Sequence, residues 1–117
     1  DRRVAHHTRG WNSGSIGIEL VNLGRYPDWL DSRRQQLEEP YPEAQVEALL
    51  ALLADLRARL PALRGIAGHE DLDLTEVPAS DDPARVVRRK RDPGPMFPWA
   101  QVMASCGLDR RFAAALP

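Results

Sequence analysis

Apolar residues recur at three- and four-residue steps in one stretch of the chain, at Val46, Leu49, Leu50, Leu53, Leu56 and Leu60. That spacing returns side chains to one side of an α-helix, so "PYPEAQVEALLALLADLRARLP" reads as a helix with a single apolar face. Pro42 suits the first turn, where no N–H partner is lost, and Glu43 suits the positive N-terminal end. Pro61 stops the helix.

The pattern changes elsewhere. "SIGIELVNL", Ser15 to Leu23, is β-branched and aliphatic and reads as the best strand. Its alternation predicts Ile16, Ile18 and Leu20 on one face and Gly17, Glu19 and Val21 on the other. "RVAHH" reads as a short strand ahead of it, and residues 25–41 read as irregular. "RGIAGHE" predicts a short strand ending at Gly68-His69. A long polar connection with four prolines, Pro78, Pro83, Pro93 and Pro95, follows, and "PWAQVMASCGL" predicts a last helix with Gly107 as its stop. The order strand, helix, strand, loop, helix indicates an α/β fold. Two or three strands and one strong helix make a thin core for 117 residues, and so small a sheet leaves an open apolar edge. The expectation is therefore that further strands precede Asp1.

Composition narrows the function classes. Forty-three per cent hydrophobic and 28 per cent charged residues are globular usage, and no apolar run reaches the ~20 residues of a membrane helix. One cysteine, Cys106, excludes an internal disulfide and a multi-cysteine zinc module. The basic run Arg85, Arg88, Arg89, Lys90, Arg91 follows the acids Glu70, Asp71, Asp73, Glu76, Asp81 and Asp82, and the net charge is −1. This balance argues against nucleic acid as a partner and for a loop that pairs with itself or stays solvated.

Four residues stand out as candidate chemistry. His69 follows Gly68 at a strand end. Asp92 precedes Pro93 and is pushed to an extended conformation, with Pro93-Gly94-Pro95 fixing the chain direction. A rigid histidine and a rigid aspartate suit a zinc ion, although a catalytic zinc takes three protein ligands. Taken alone, the two are more often a surface histidine and a loop aspartate. Glu19, inside an aliphatic strand with Gly17 beside it, is placed as a general base or as an exposed glutamate. Lys90 shares a face with Asp92 if the segment is extended, and is an oxyanion donor or one more solvated cation.

Taken in order, "NSGSIGIELVN", "PEAQVEALLALL", "GIAGHEDLD" and "RRKRDPGPMFPW" closely resemble the zinc-dependent N-acetylmuramoyl-L-alanine amidases. These are the AmpD-like, amidase type 2 group, related to peptidoglycan recognition proteins and some phage endolysins. The resemblance runs from about Val4 to Val102 and implies a central mixed β-sheet flanked by helices. It implies that His69 and Asp92 are two of three zinc ligands, that Glu19 deprotonates the attacking water, and that Lys90 stabilises the oxyanion. His7 falls where relatives carry a histidine near the substrate, with His6 replacing the usual tryptophan. The bond cut would be the amide between N-acetylmuramic acid and L-alanine in peptidoglycan or muropeptides.

Two departures accompany the resemblance. The family's first zinc ligand, a histidine on an early strand, has no match here, so the third ligand is expected before residue 1, with His6 or His7 as the alternative ranked below it. Residues 1–117 then read as one amidase domain, roughly its C-terminal two-thirds, whose missing N-terminal segment is a further partner. The second departure is a long inserted loop over residues 70–91. The competing reading is a non-catalytic peptidoglycan-binding module of the same fold.

Overall fold

A computed structural model describes residues 14–113. Helix α1 spans Glu43–Arg59, as the periodicity predicts, and buries Val46, Leu49 and Leu53. Leu60 instead ends the helix and is exposed. Pro42 sits at the N-cap, one position before the predicted first turn, where its carbonyl accepts from the N–H groups of Gln45 and Val46. Helix α2 is the single turn His69–Leu72, and α3 spans Trp99–Cys106. Gly107 closes α3 in the left-handed conformation at φ 66°, as expected of a glycine stop. Its missing Cβ also makes room for Arg57, whose Nη1 donates to the carbonyl of Cys106 at 3.2 Å. A cation from α1 thus answers the negative end of α3.

Among the described residues, four short strands form two separate pairs. Strand β1, Gly65–Ile66, runs parallel to β4, Asp109–Arg110, with Ile66 opposite Arg110. Strand β2, Glu76–Pro78, runs antiparallel to β3, Val86–Arg88, with Val77 opposite Val87. The α/β class therefore stands, carried by small sheets among the described residues. The core gathers Leu49 and Leu53 of α1, Val102 and Cys106 of α3, and the flanking Phe97 and Leu108. Tyr41, Leu63, Ile66 and Trp99 pack around it.

Two expectations change. The stretch Ser15–Leu23 is not a strand, because no described segment hydrogen-bonds alongside it. Its predicted inner face is only partly used: Leu20 packs on the core, while Ile16 and Ile18 are 50 and 38 per cent exposed. Glu39 and Gln45 fasten its end, through Leu23 N–H to the Glu39 carboxylate and Gln45 Nε2 to Val21 O. The polar connection after His69, by contrast, is built around the β2–β3 hairpin. Arg88 holds it down through the carbonyls of Glu70 and Asp73, and Arg89 through the Asp73 carboxylate. Acid and base in this segment do pair with each other, as the charge balance suggested. The predicted strand "RVAHH" lies outside the described residues.

Candidate metal centre

The centre is assembled where α2 begins and the 92–95 turn passes beneath it. The N–H of Glu70 donates to Asp92 O at 2.9 Å, which joins the two segments through backbone. Gly68 is buried, and a Cβ there would lie 2.6 Å from Pro93 Cδ and 3.2 Å from Trp99 Cζ2. Only glycine permits this approach. Gly94 has φ 80°, and a Cβ on it would meet Leu37 at 2.9 Å. The turn is further held by Tyr41, whose hydroxyl donates to Pro93 O at 2.7 Å. Burial, reinforced by the negative charges of Asp92, Glu70 and Glu39, pushes the Tyr41 phenol up to about 12, so it remains a donor.

A second layer fixes the start of α2. Asp71 is buried and accepts from Gly68 N–H at 2.8 Å. It also receives both arms of Arg110, at 3.1 and 2.9 Å. The Arg110 guanidinium lies 3.9 Å from the Trp99 ring centre, so a cation–π contact orients it. Sequence reasoning missed Tyr41, Asp71 and Arg110 as supports. Tyr41 between Pro40 and Pro42 was the one visible signal, since a tyrosine fixed by two prolines has little freedom to lose.

These supports bring His69 and Asp92 together, with Nδ1 and Oδ2 3.3 Å apart. The histidine is largely covered, at 18 per cent side-chain exposure, while the carboxylate opens to solvent at 56 per cent. Burial pushes the Asp92 carboxyl up, but the hydrogen bond and charge of His69, with the charge of Lys90, outweigh it and hold the group below its usual range. A charge-assisted N–H···O bond is usually about 2.7–2.9 Å long. Two donors each ~2.0–2.2 Å from a tetrahedral zinc are separated by roughly 3.3 Å. The pair thus fits two corners of a zinc site. Among the described residues, no group of three or more His, Cys, Asp or Glu side chains comes together to hold a metal.

The other predicted residues are distributed differently. Lys90, two positions before Asp92, is half-buried, and its charge reaches the carboxylate. Glu19 is exposed on the 15–23 segment and makes no described hydrogen bond or ion pair with His69, Asp92 or Lys90. His6 and His7 lie outside the described residues.

Comparison with known proteins gives this geometry a family. The family described as N-acetylmuramoyl-L-alanine amidase matches residues 1–95. The chain is 35% identical over 92 residues to N-acetylmuramoyl-L-alanine amidase AmiD of Escherichia coli, covering 78% of this chain and 27% of that protein. It is 36% identical over 94 residues to 1,6-anhydro-N-acetylmuramyl-L-alanine amidase AmpD of Enterobacter cloacae, covering 80% of this chain and 36% of that protein. The chain therefore spans only about a quarter to a third of the length of these relatives. No solved structure matches it significantly. The match extends through His69 and Asp92, and the chain belongs to the N-acetylmuramoyl-L-alanine amidase family.

Proposed function

We propose that this chain is part of a zinc-dependent enzyme that hydrolyses the amide between N-acetylmuramic acid and L-alanine in peptidoglycan or muropeptides. The observation that carries the reading is the His69–Asp92 pair, held at 3.3 Å within the matched region. Zinc, when bound, would supply Lewis acidity and lower the pKa of a water from about 15.7 to ~7. His69 and Asp92 are the proposed metal holders. The buried Gly68 lets the two segments that carry them approach closely.

The remaining steps belong to the chain's own carboxylate and amine. Glu19 takes the proton of the attacking water and returns it to the leaving nitrogen of L-alanine, so the amide breaks into a carboxylate and an amine. Lys90 donates to the carbonyl oxygen as negative charge develops there. His7 lines the substrate. These roles rest on the family motifs "SIGIE", "GH" and "KRDPGP". In this reading the 70–91 segment is an inserted loop of the amidase domain.

The test combines metal content and muropeptide hydrolysis on the intact protein. Wild type is expected to carry zinc in stoichiometric amount, and His69→Ala and Asp92→Ala to lose it. Glu19→Ala is expected to keep the metal while activity falls by roughly 10²–10⁴-fold. An unimpaired Glu19→Ala would refute the assigned base. A protein that binds muropeptides with all four residues intact yet never cleaves them would be a binding module instead.

A further inference from the structure

Two consecutive carbonyls upstream of Asp92 are held by one side chain from the irregular 25–41 segment. Arg25 Nη1 donates to Arg88 O at 2.7 Å, and its Nη2 donates to Arg89 O at 2.6 Å. A guanidinium presents its donors in a rigid planar fork, so the two oxygens are held at a set spacing and direction. Gln35 orients the fork. Its Oε1 accepts from Arg25 Nη1 at 2.6 Å, while its Nε2 donates to Trp29 O and Asp31 O. Arg25 is half-buried. Burial and the like charge of Arg91 push its guanidinium below its usual value, and the Asp92 carboxylate counters them, so Arg25 lies within the field of the candidate ligand.

The two carbonyls matter because of the residue that follows. A peptide unit is planar, and Arg89 O shares its plane with the N–H of Lys90. Holding that oxygen sets the direction in which the chain enters Lys90. The preceding plane is held at both edges, by Arg25 on Arg88 O and by Thr75 O, which accepts from Arg89 N–H at 2.8 Å. Downstream, Asp92 O accepts from Glu70 N–H at 2.9 Å. Lys90 therefore sits in a short span pinned at both ends. Unlike Thr75 and Glu70, Arg25 comes from outside residues 69–92. Its loss leaves the hairpin's own fastening, Arg88 on the carbonyls of Glu70 and Asp73, in place.

We infer that Arg25 is a positioning residue for Lys90, holding the peptide plane from which the lysine reaches the carbonyl oxygen of the scissile amide. The inference rests on the proposed amidase function and gives the 25–41 segment a part in it. Arg25 touches no substrate in this role and acts through the backbone of Arg89 and Lys90. Lys90 is needed as charge develops on the oxygen, so its misplacement lowers kcat and leaves KM unchanged.

NMR relaxation and a double-mutant cycle on the intact protein test this together. Arg25→Gln is expected to lower the backbone order parameter of Lys90 from about 0.85 toward about 0.6, with α1 unchanged. It should lower kcat for muropeptide hydrolysis by roughly 10–100-fold, with KM and zinc content as in wild type. Arg25→Lys, which keeps the stem and the charge and lacks the fork, should do the same even if the glutamine variant fails to fold. In a Lys90→Ala background, Arg25→Gln should lower kcat no further, because the two residues act through one contact. A rigid Lys90 in the folded variants, full kcat in Arg25→Lys, or a loss of zinc alongside kcat would overturn the inference. Additive losses in an enzyme that does cleave would overturn the Arg25 role alone. A wild-type protein that cleaves no muropeptide would overturn the amidase reading and this role together.

Discussion

Gly68 and Gly94 shape the candidate centre more than any charged residue does, because each removes a Cβ from a place where backbone must pass. At Gly68 the obstacle is Pro93, and at Gly94 it is Leu37, with φ at 80° as a second restriction. Gly68→Ala must push α2 away from the 92–95 turn, and overpacking of this kind costs about 1–3 kcal/mol. The same displacement separates His69 from Asp92. The expected outcome is a lower Tm together with lost zinc affinity, measured by thermal unfolding and by metal titration of the same variant. A Gly68→Ala protein with wild-type zinc affinity would show that the close approach does not set the donor spacing. Glycine and proline were visible in "GH" and "DPGP", and so the pair was legible from the sequence. The Asp71–Arg110–Trp99 support was not, because residues 39 positions apart give no local signal.

Among the elements, the long helices specified by neighbours along the chain were legible, while of the strands only β1, within "RGIAGHE", was. Helices α1 and α3 declare themselves by periodicity and by their proline and glycine ends. The Ser15–Leu23 stretch has the composition of a strand, but a strand also needs a ladder, and no described segment supplies one. The three-residue strands of the hairpin are too short to carry a pattern, and Pro78 within one of them reads as a break. The irregular 25–41 segment gets its order from charge instead. The side-chain hydrogen bond of Arg33 to Asp31, aided by the Arg33 N–H, outweighs burial and holds the Asp31 carboxyl at about 2. A folded pKa below the unfolded value near ~3.9 gives stability that is fully present above that value. It is lost as pH falls toward about 2. Asp31→Asn is therefore expected to lower Tm at pH 7, with the difference from wild type shrinking through the pH 4 to 2 range. A Tm difference independent of pH would refute the ion pair as its source.

For the whole molecule, the exposed apolar residues Ile16, Val21, Leu23, Tyr26 and Trp29 fall in one stretch of sequence, ahead of the helices that form the core. Exposed apolar side chains bind apolar dyes and promote association where they gather into one patch. The 117-residue chain is expected to bind such a dye and to self-associate as concentration rises. Ile16→Asp with Val21→Asp should reduce both, as read by fluorescence and sedimentation; an unchanged sedimentation profile would exclude this surface as the cause. A different consequence follows from the way α1 is fastened. Tyr41, just ahead of its first turn, grips Pro93, and Arg57 in its last turn grips Cys106. The helix is about 25 Å long, so it works as a splint bridging both ends of residues 93–106. Amide hydrogens along that segment should then exchange with solvent in step with those of α1, as one opening unit, while the hairpin exchanges on its own schedule. The β2–β3 hairpin can therefore breathe while the turn that follows Asp92 keeps still.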